Sequence, residues 1–152
     1  MRSAISKPSV NPLVGKIWLR FALDQGLAPK AIFDFLAMLE SNPKLWNEAM
    51  EEIFTPKHYG KFTVKVIRRF GKKLQEDGRL WSIVTFYLAN QQKWTQLCNW
   101  CEKQWDKPNR NAWAVYFYSY GLRLKNKGQQ AAVVNETAGN LPADDYIDRI
   151  LL

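Results

Sequence analysis

Residues 62–70 read FTVKVIRRF, and the choice between strand and helix here decides the fold. As a strand, Phe62, Val64 and Val66 alternate with Thr63 and Lys65. As a helix, Phe62, Val66, Phe70 and Leu74 recur every four residues, with Tyr59 ahead of them. The four-residue spacing outlasts the alternation, so this stretch is predicted to be helical, closing at Asp77-Gly78.

Working outward, helical periodicity continues in both directions. Upstream, Pro12 opens a segment carrying Leu13, Ile17, Trp18, Phe21 and Ala22, which ends at Gly26. Pro29 opens the next, with Ala31, Ile32, Phe35, Met38 and Leu39 at spacings of three and four. Ser41 or Asn42 caps a third, with Leu45, Trp46, Ala49, Met50 and Ile53, stopped by TPKHYG. Downstream, helices are predicted over Leu80–Ala89, Lys93–Trp105, Arg110–Lys125 and Gln129–Ala138. Asp144 then caps a last apolar stretch, YIDRILL. No segment alternates over a useful length, so the predicted class is all-α. The expected division is a flexible segment 1–11, a helical domain 12–142 and a C-terminal capping helix 143–152.

Composition narrows the function classes. Hydrophobic residues make up 47% of 152, with seven Trp, six Tyr and eight Phe, which excludes a disordered chain. Two cysteines cannot build a disulfide framework. The start MRSAISKPSVNP has no apolar run behind its cations, and no later run approaches bilayer length. A cytoplasmic chain without membrane contact is the expectation. The net charge is +8, which suits an acidic partner or nucleic acid.

Three markers share a period near 33. Trp46, Trp81 and Trp113 are separated by 35 and 32 residues. Pro43, Asp77, Pro108 and Pro142 mark breaks at intervals of 34, 31 and 34. Ala31, Val64, Leu97 and Ala131 sit mid-helix at steps of 33, 33 and 34. With Ala31, Phe35, Met38 and Pro43, then Trp81, Val84, Leu88, Leu97, Cys101 and Pro108, then Trp113, Phe117, Tyr120, Ala131 and Pro142, the chain resembles a degenerate tetratricopeptide array. Thr85 stands where that pattern has Gly, and the second unit lacks its Ala and Pro. The resemblance implies an α-α superhelix of about four helix-turn-helix hairpins plus a short C-terminal helix. It also implies a non-catalytic scaffold whose first helices line a concave groove for a partner peptide or helix. Trp46, Phe86, Tyr87 and Tyr118 would face that groove, with Lys16, Arg20 and Arg79 at its rim, favouring an acidic segment.

The residues that carry chemistry elsewhere do not assemble in this sequence. Cys98 and Cys101 form a lone CxxC on one apolar stripe, which reads as core, and His58 is the only imidazole. No phosphate-cradling glycine motif occurs. No cofactor, metal site or catalytic residue is expected. Between Lys57 and Arg79 there are eight Lys/Arg against two acids. Lys65, Arg68, Arg69, Lys72 and Lys73 recur at three and four, forming a basic stripe. That stripe supports the alternative, a basic α-solenoid binding RNA or single-stranded DNA. The apolar ending, Ile147, Ile150, Leu151 and Leu152, reads as cover for the last hairpin, or as surface awaiting more chain or a second subunit in a homodimer.

Overall fold

A computed structural model describes residues 11–141. The N-terminal segment through residue 10 lies outside the described residues, as does the expected helix at 143–152 with its cap Asp144. The helices are α1 (Pro12–Asp24), α2 (Pro29–Leu39), α3 (Pro43–Ile53), α4 (Lys61–Glu76), α5 (Gly78–Asn90), α6 (Trp94–Cys101), α7 (Ala112–Leu124) and α8 (Gly128–Ala138), with a 3₁₀ turn at Pro56–His58. Among the described residues there is no strand, and the protein is all-α. FTVKVIRRF lies inside α4, as its four-residue spacing predicts. The helix is not continuous, however: Phe70 adopts φ −112°, ψ 17°, just ahead of Gly71, a poor helix former.

The odd-numbered helices share one starting device. Asn11 Oδ1 accepts from the N–H groups of Leu13 and Val14 at 3.1 and 3.2 Å. Asn42 Oδ1 accepts from Leu45 at 3.3 Å, Asp77 Oδ1 from Arg79 and Leu80 at 2.9 and 3.0 Å, and Asn111 Oδ1 from Trp113 at 2.8 Å. Each satisfies amides that have no partner within the helix. The caps fall at 11, 42, 77 and 111, while α2, α6 and α8 have no side-chain cap. Asp77, read from the sequence as part of a helix stop, therefore starts α5.

Two compact units divide at Thr63/Val64. In the first, α1 and α2 each pack on α3. Trp18 meets Phe35 at 5.0 Å between ring centroids, and Leu36, Trp46, Met50 and Ile53 are fully enclosed. Only part of the predicted α1 stripe is core: Trp18 and Ala22 are buried, together with Leu19 outside the stripe, whereas Leu13, Ile17 and Phe21 are exposed. In the second unit α5 is central. Every residue from Leu80 to Ala89 is buried, the outcome expected of a helix apolar on all sides. It packs against α6 and α7, and α7 in turn against α6 and α8.

The predicted helix over Lys93–Trp105 ends early, at Cys101. Its continuation, residues 102–109, turns instead, with Lys107 N–H donating to Gln104 O at 3.2 Å, and Arg110 braces the turn. Arg110 Nε donates to Gln104 O at 2.7 Å and Nη1 to Pro108 O at 3.0 Å, and Asn109 takes a left-handed φ of 65°.

Candidate functional site

The second unit holds a cleft of about 430 Å³ between α4, α5 and α6. Val64 and Ile67 of α4 and Leu88 of α5 form its apolar side. Arg68, Gln75, Lys93, Gln96 and Asn99 contribute its polar groups, and Tyr87 and Trp100 its rings. The helical period explains this set: Val64, Ile67, Arg68 and Gln75 lie on one side of α4, and Gln96 and Asn99 are one turn apart on α6. Lys93 Nζ sits 5.6 Å from the Tyr87 ring centroid, a cation–π contact that fixes the ammonium over the cleft wall. Gln75 Nε2 donates to Trp100 O at 2.7 Å, while its buried Oε1 has no donor. Neither Arg68 nor Lys93 forms an ion pair among the described residues, and no acid lines the cleft.

The predicted basic stripe runs along the same helix. Lys65, Arg68, Arg69 and Lys72 are exposed and Lys73 is half-buried. Arg69 lies 5.8 Å from the Phe70 ring centroid. Arg68 belongs both to the stripe and to the cleft, so the basic face leads into the cavity.

Beside the cleft, Arg110 is almost wholly buried. Besides its bonds to Gln104 and Pro108, Nη2 donates to Gln75 O at 3.2 Å, and the guanidinium lies 5.0 Å from the Trp81 ring centroid. Burial draws its pKa below the ordinary value, and Asp77 and Asp106 oppose that shift. All its hydrogen bonds go to carbonyl groups of its own unit, so it staples the 102–109 turn to the end of α4. Composition alone does not single out this arginine. The signal was positional: it directly precedes Asn111, the cap of α7.

The four predicted groove aromatics are corrected by the structure. Trp46, Phe86, Tyr87 and Tyr118 are 1%, 3%, 2% and 6% exposed, so they are packing groups and present no open aromatic surface. Phe86 stacks edge-on to Phe117 at 5.3 Å and Tyr118 meets Trp105 at 6.2 Å. Burial pushes the Tyr118 phenol up to about 12. The physical reason is that neighbouring helices cover the faces expected to line a groove: α6 and α7 pack on α5, α5, α6 and α8 on α7, and α1 and α2 on α3, which carries Trp46. Tyr87 also lines the cleft described above. Of the predicted rim cations, Lys16 and Arg79 are exposed, and Arg20 is held by Glu52 at 2.7 Å.

What stands outward instead is a different face of α7. Trp113, Tyr120 and Leu124 are 44%, 48% and 51% exposed, with Tyr116 half-buried among them. Trp113 contacts Tyr116 at 6.0 Å between centroids, and Tyr120 contacts Trp94 edge-on at 5.0 Å. Arg123, Lys125 and Lys127 are exposed at the same end. Helical spacing groups Trp113, Tyr116, Phe117 and Tyr120 on one face. What it lacks is any indication of which face the neighbours leave open.

Cys101 is buried 3.6 Å from Thr85 Oγ1, and Cys98 is half-buried; burial raises both thiol pKa values, which suits packing rather than nucleophilic chemistry. His58 lies in the 3₁₀ turn Pro56–His58. Its ring is enclosed, with Nδ1 2.9 Å from Glu52 O and Nε2 2.8 Å from an Asp24 carboxylate oxygen. Among the described residues no group of three or more His, Cys, Asp or Glu is placed to hold a metal, and no helix is long and apolar enough to cross a membrane. No family model, curated protein or solved structure matches this chain.

Proposed function

We propose that this protein is a non-catalytic scaffold that holds a segment of a partner protein, built as a tetratricopeptide-like α-α superhelix of stacked hairpins. Two features support the architecture: side-chain caps recur at 11, 42, 77 and 111, and α5–α6 and α7–α8 pack as successive pairs with further packing between the pairs. The observation that carries the binding reading is the outward face of α7. Trp113 and Tyr120 are rigid and amphipathic, and Trp, Tyr and Arg dominate the energetics of interfaces. Arg123, Lys125 and Lys127, exposed at the Tyr120 end of that face, favour an acidic partner in a cytoplasmic setting.

A pull-down from source extract with the wild type beside Trp113→Ala/Tyr120→Ala tests this. A specific partner is expected to be lost from the variant, and equal retention by both proteins refutes the reading. The exposed stripe Lys65, Arg68 and Lys72 supports the second reading, RNA or single-stranded DNA binding. Filter binding at low and high salt separates the two. Tight, salt-sensitive binding to either nucleic acid reverses the ranking, and no binding at low salt ends the second reading.

A further inference from the structure

The α4–α6 cleft has its own recognition chemistry, distinct from the aromatic face of α7. From it we infer that the cleft takes an extended acidic peptide strand, with a carboxylate side chain between Arg68 and Lys93 and the strand's backbone paired with the carboxamides of Gln96 and Asn99. This rests on the scaffold reading and adds to it a second surface and a ligand class.

Charge is the first support. Arg68 and Lys93 come from different elements, line one cavity, and form no ion pair among the described residues. With no acid in the lining among the described residues, the cavity carries positive charge, and an arginine fork suits a carboxylate.

The amides decide between anions. A carboxamide both donates and accepts, and an extended peptide offers N–H and C=O groups in alternation. Phosphate oxygens at neutral pH chiefly accept. Gln75 is pinned through Nε2 to Trp100 O and its Oε1 is buried, so it belongs to the cleft wall. Gln96 and Asn99, exposed on α6, present both kinds of group to the cleft and so match a peptide backbone. Val64, Ile67 and Leu88 then offer an aliphatic wall for a side chain next to the acid. About 430 Å³ is ordinary for a small ligand or a few residues of strand.

The test uses the full chain and fluorescence anisotropy with a labelled, end-capped probe, Ala-Glu-Ala-Glu-Leu-Ala-Glu-Ala. Binding is expected, with the version carrying Gln for every Glu weaker by about tenfold or more. Arg68→Gln and Lys93→Gln should each weaken the acidic probe about tenfold. Lys44→Gln, an exposed cation of the other unit, and Trp113→Ala/Tyr120→Ala should leave it unchanged. Arg68→Lys, which keeps the charge without the fork, should fall in between, and it provides a mild variant if Arg68→Gln unfolds. Equal loss with Lys44→Gln, no difference between the Glu and Gln probes, or tighter binding of an oligodeoxythymidine of equal charge overturns the proposal. So does displacement of the probe by inorganic phosphate at equal charge concentration. Because the α7 variant is a separate arm, a bound probe with no α7-dependent partner sinks the α7 reading alone. An α7-dependent partner without probe binding sinks the cleft alone.

Discussion

Gly78 and Gly128 each open a helix, α5 and α8, and their replacement by Ala should have opposite effects. In an unobstructed helical position Ala is the better residue by about 0.5–1 kcal/mol. At Gly128 nothing lies within 4 Å of an added Cβ, so Gly128→Ala should stabilise by up to that amount. At Gly78 the Cβ would fall 2.5 Å from Asn109 O and 2.6 Å from Arg110 Nη1. The first is backbone, in a residue at φ 65°, and the second is tied at 3.0 Å to Pro108 O, so neither is a free side-chain end. Relief requires a shift of about 1 Å, at the usual overpacking cost of about 1–3 kcal/mol plus part of a charged hydrogen bond. After subtracting the helix gain, the net destabilisation is about 2 kcal/mol. For a chain of this size that is about 4–8 °C of Tm, against a rise of about 1–3 °C for Gly128→Ala. Thermal melts by circular dichroism read both. If Gly78→Ala melts higher than wild type, the close approach of the α5 start to the Arg110 turn is wrong.

Two further outcomes follow from the same physics. Arg110→Lys should lower stability by about 2–4 kcal/mol in a urea titration, because a single ammonium cannot serve the carbonyls of Gln75, Gln104 and Pro108 together; an unchanged midpoint refutes the staple. The Asp24 carboxyl is held below its ordinary 3.8, chiefly by the hydrogen bond from His58, so the unfolded chain binds more protons there than the folded one. Its contribution is present above that ordinary value and is lost as pH falls through the folded one. The difference in urea midpoint between wild type and Asp24→Asn should therefore shrink on going from about pH 6 to about pH 3, and a constant difference would count against the bridge.

Much of the helix pattern was legible because a buried face forces a period. Phe62, Val66 and Leu74 could be assigned without coordinates, since their spacing is a property of one helix. Local stops were less legible. α6 ends at Cys101, and the turn that follows is braced by Arg110 reaching back to Gln104 and Pro108, a contact between residues that no periodicity links. The candidate site was legible only in part. Arg68 and Tyr87 were both singled out and both line the cleft, but Gln75, Lys93, Gln96 and Asn99 are ordinary polar residues until three helices bring them together. The groove aromatics failed for the converse reason. Trp46, Phe86 and Tyr118 look like contact residues in a list of rings, and it is the neighbouring helices that enclose them.

What the sequence by itself determined is the helical class and most helix starts, because these follow from short-range hydrogen bonding and from which side chains avoid water. Which face of each helix stays open was decided only by tertiary structure. Trp113 and Trp81 occupy similar early positions in their helices, yet one is half in solvent and the other wholly enclosed, because exposure depends on what else packs there.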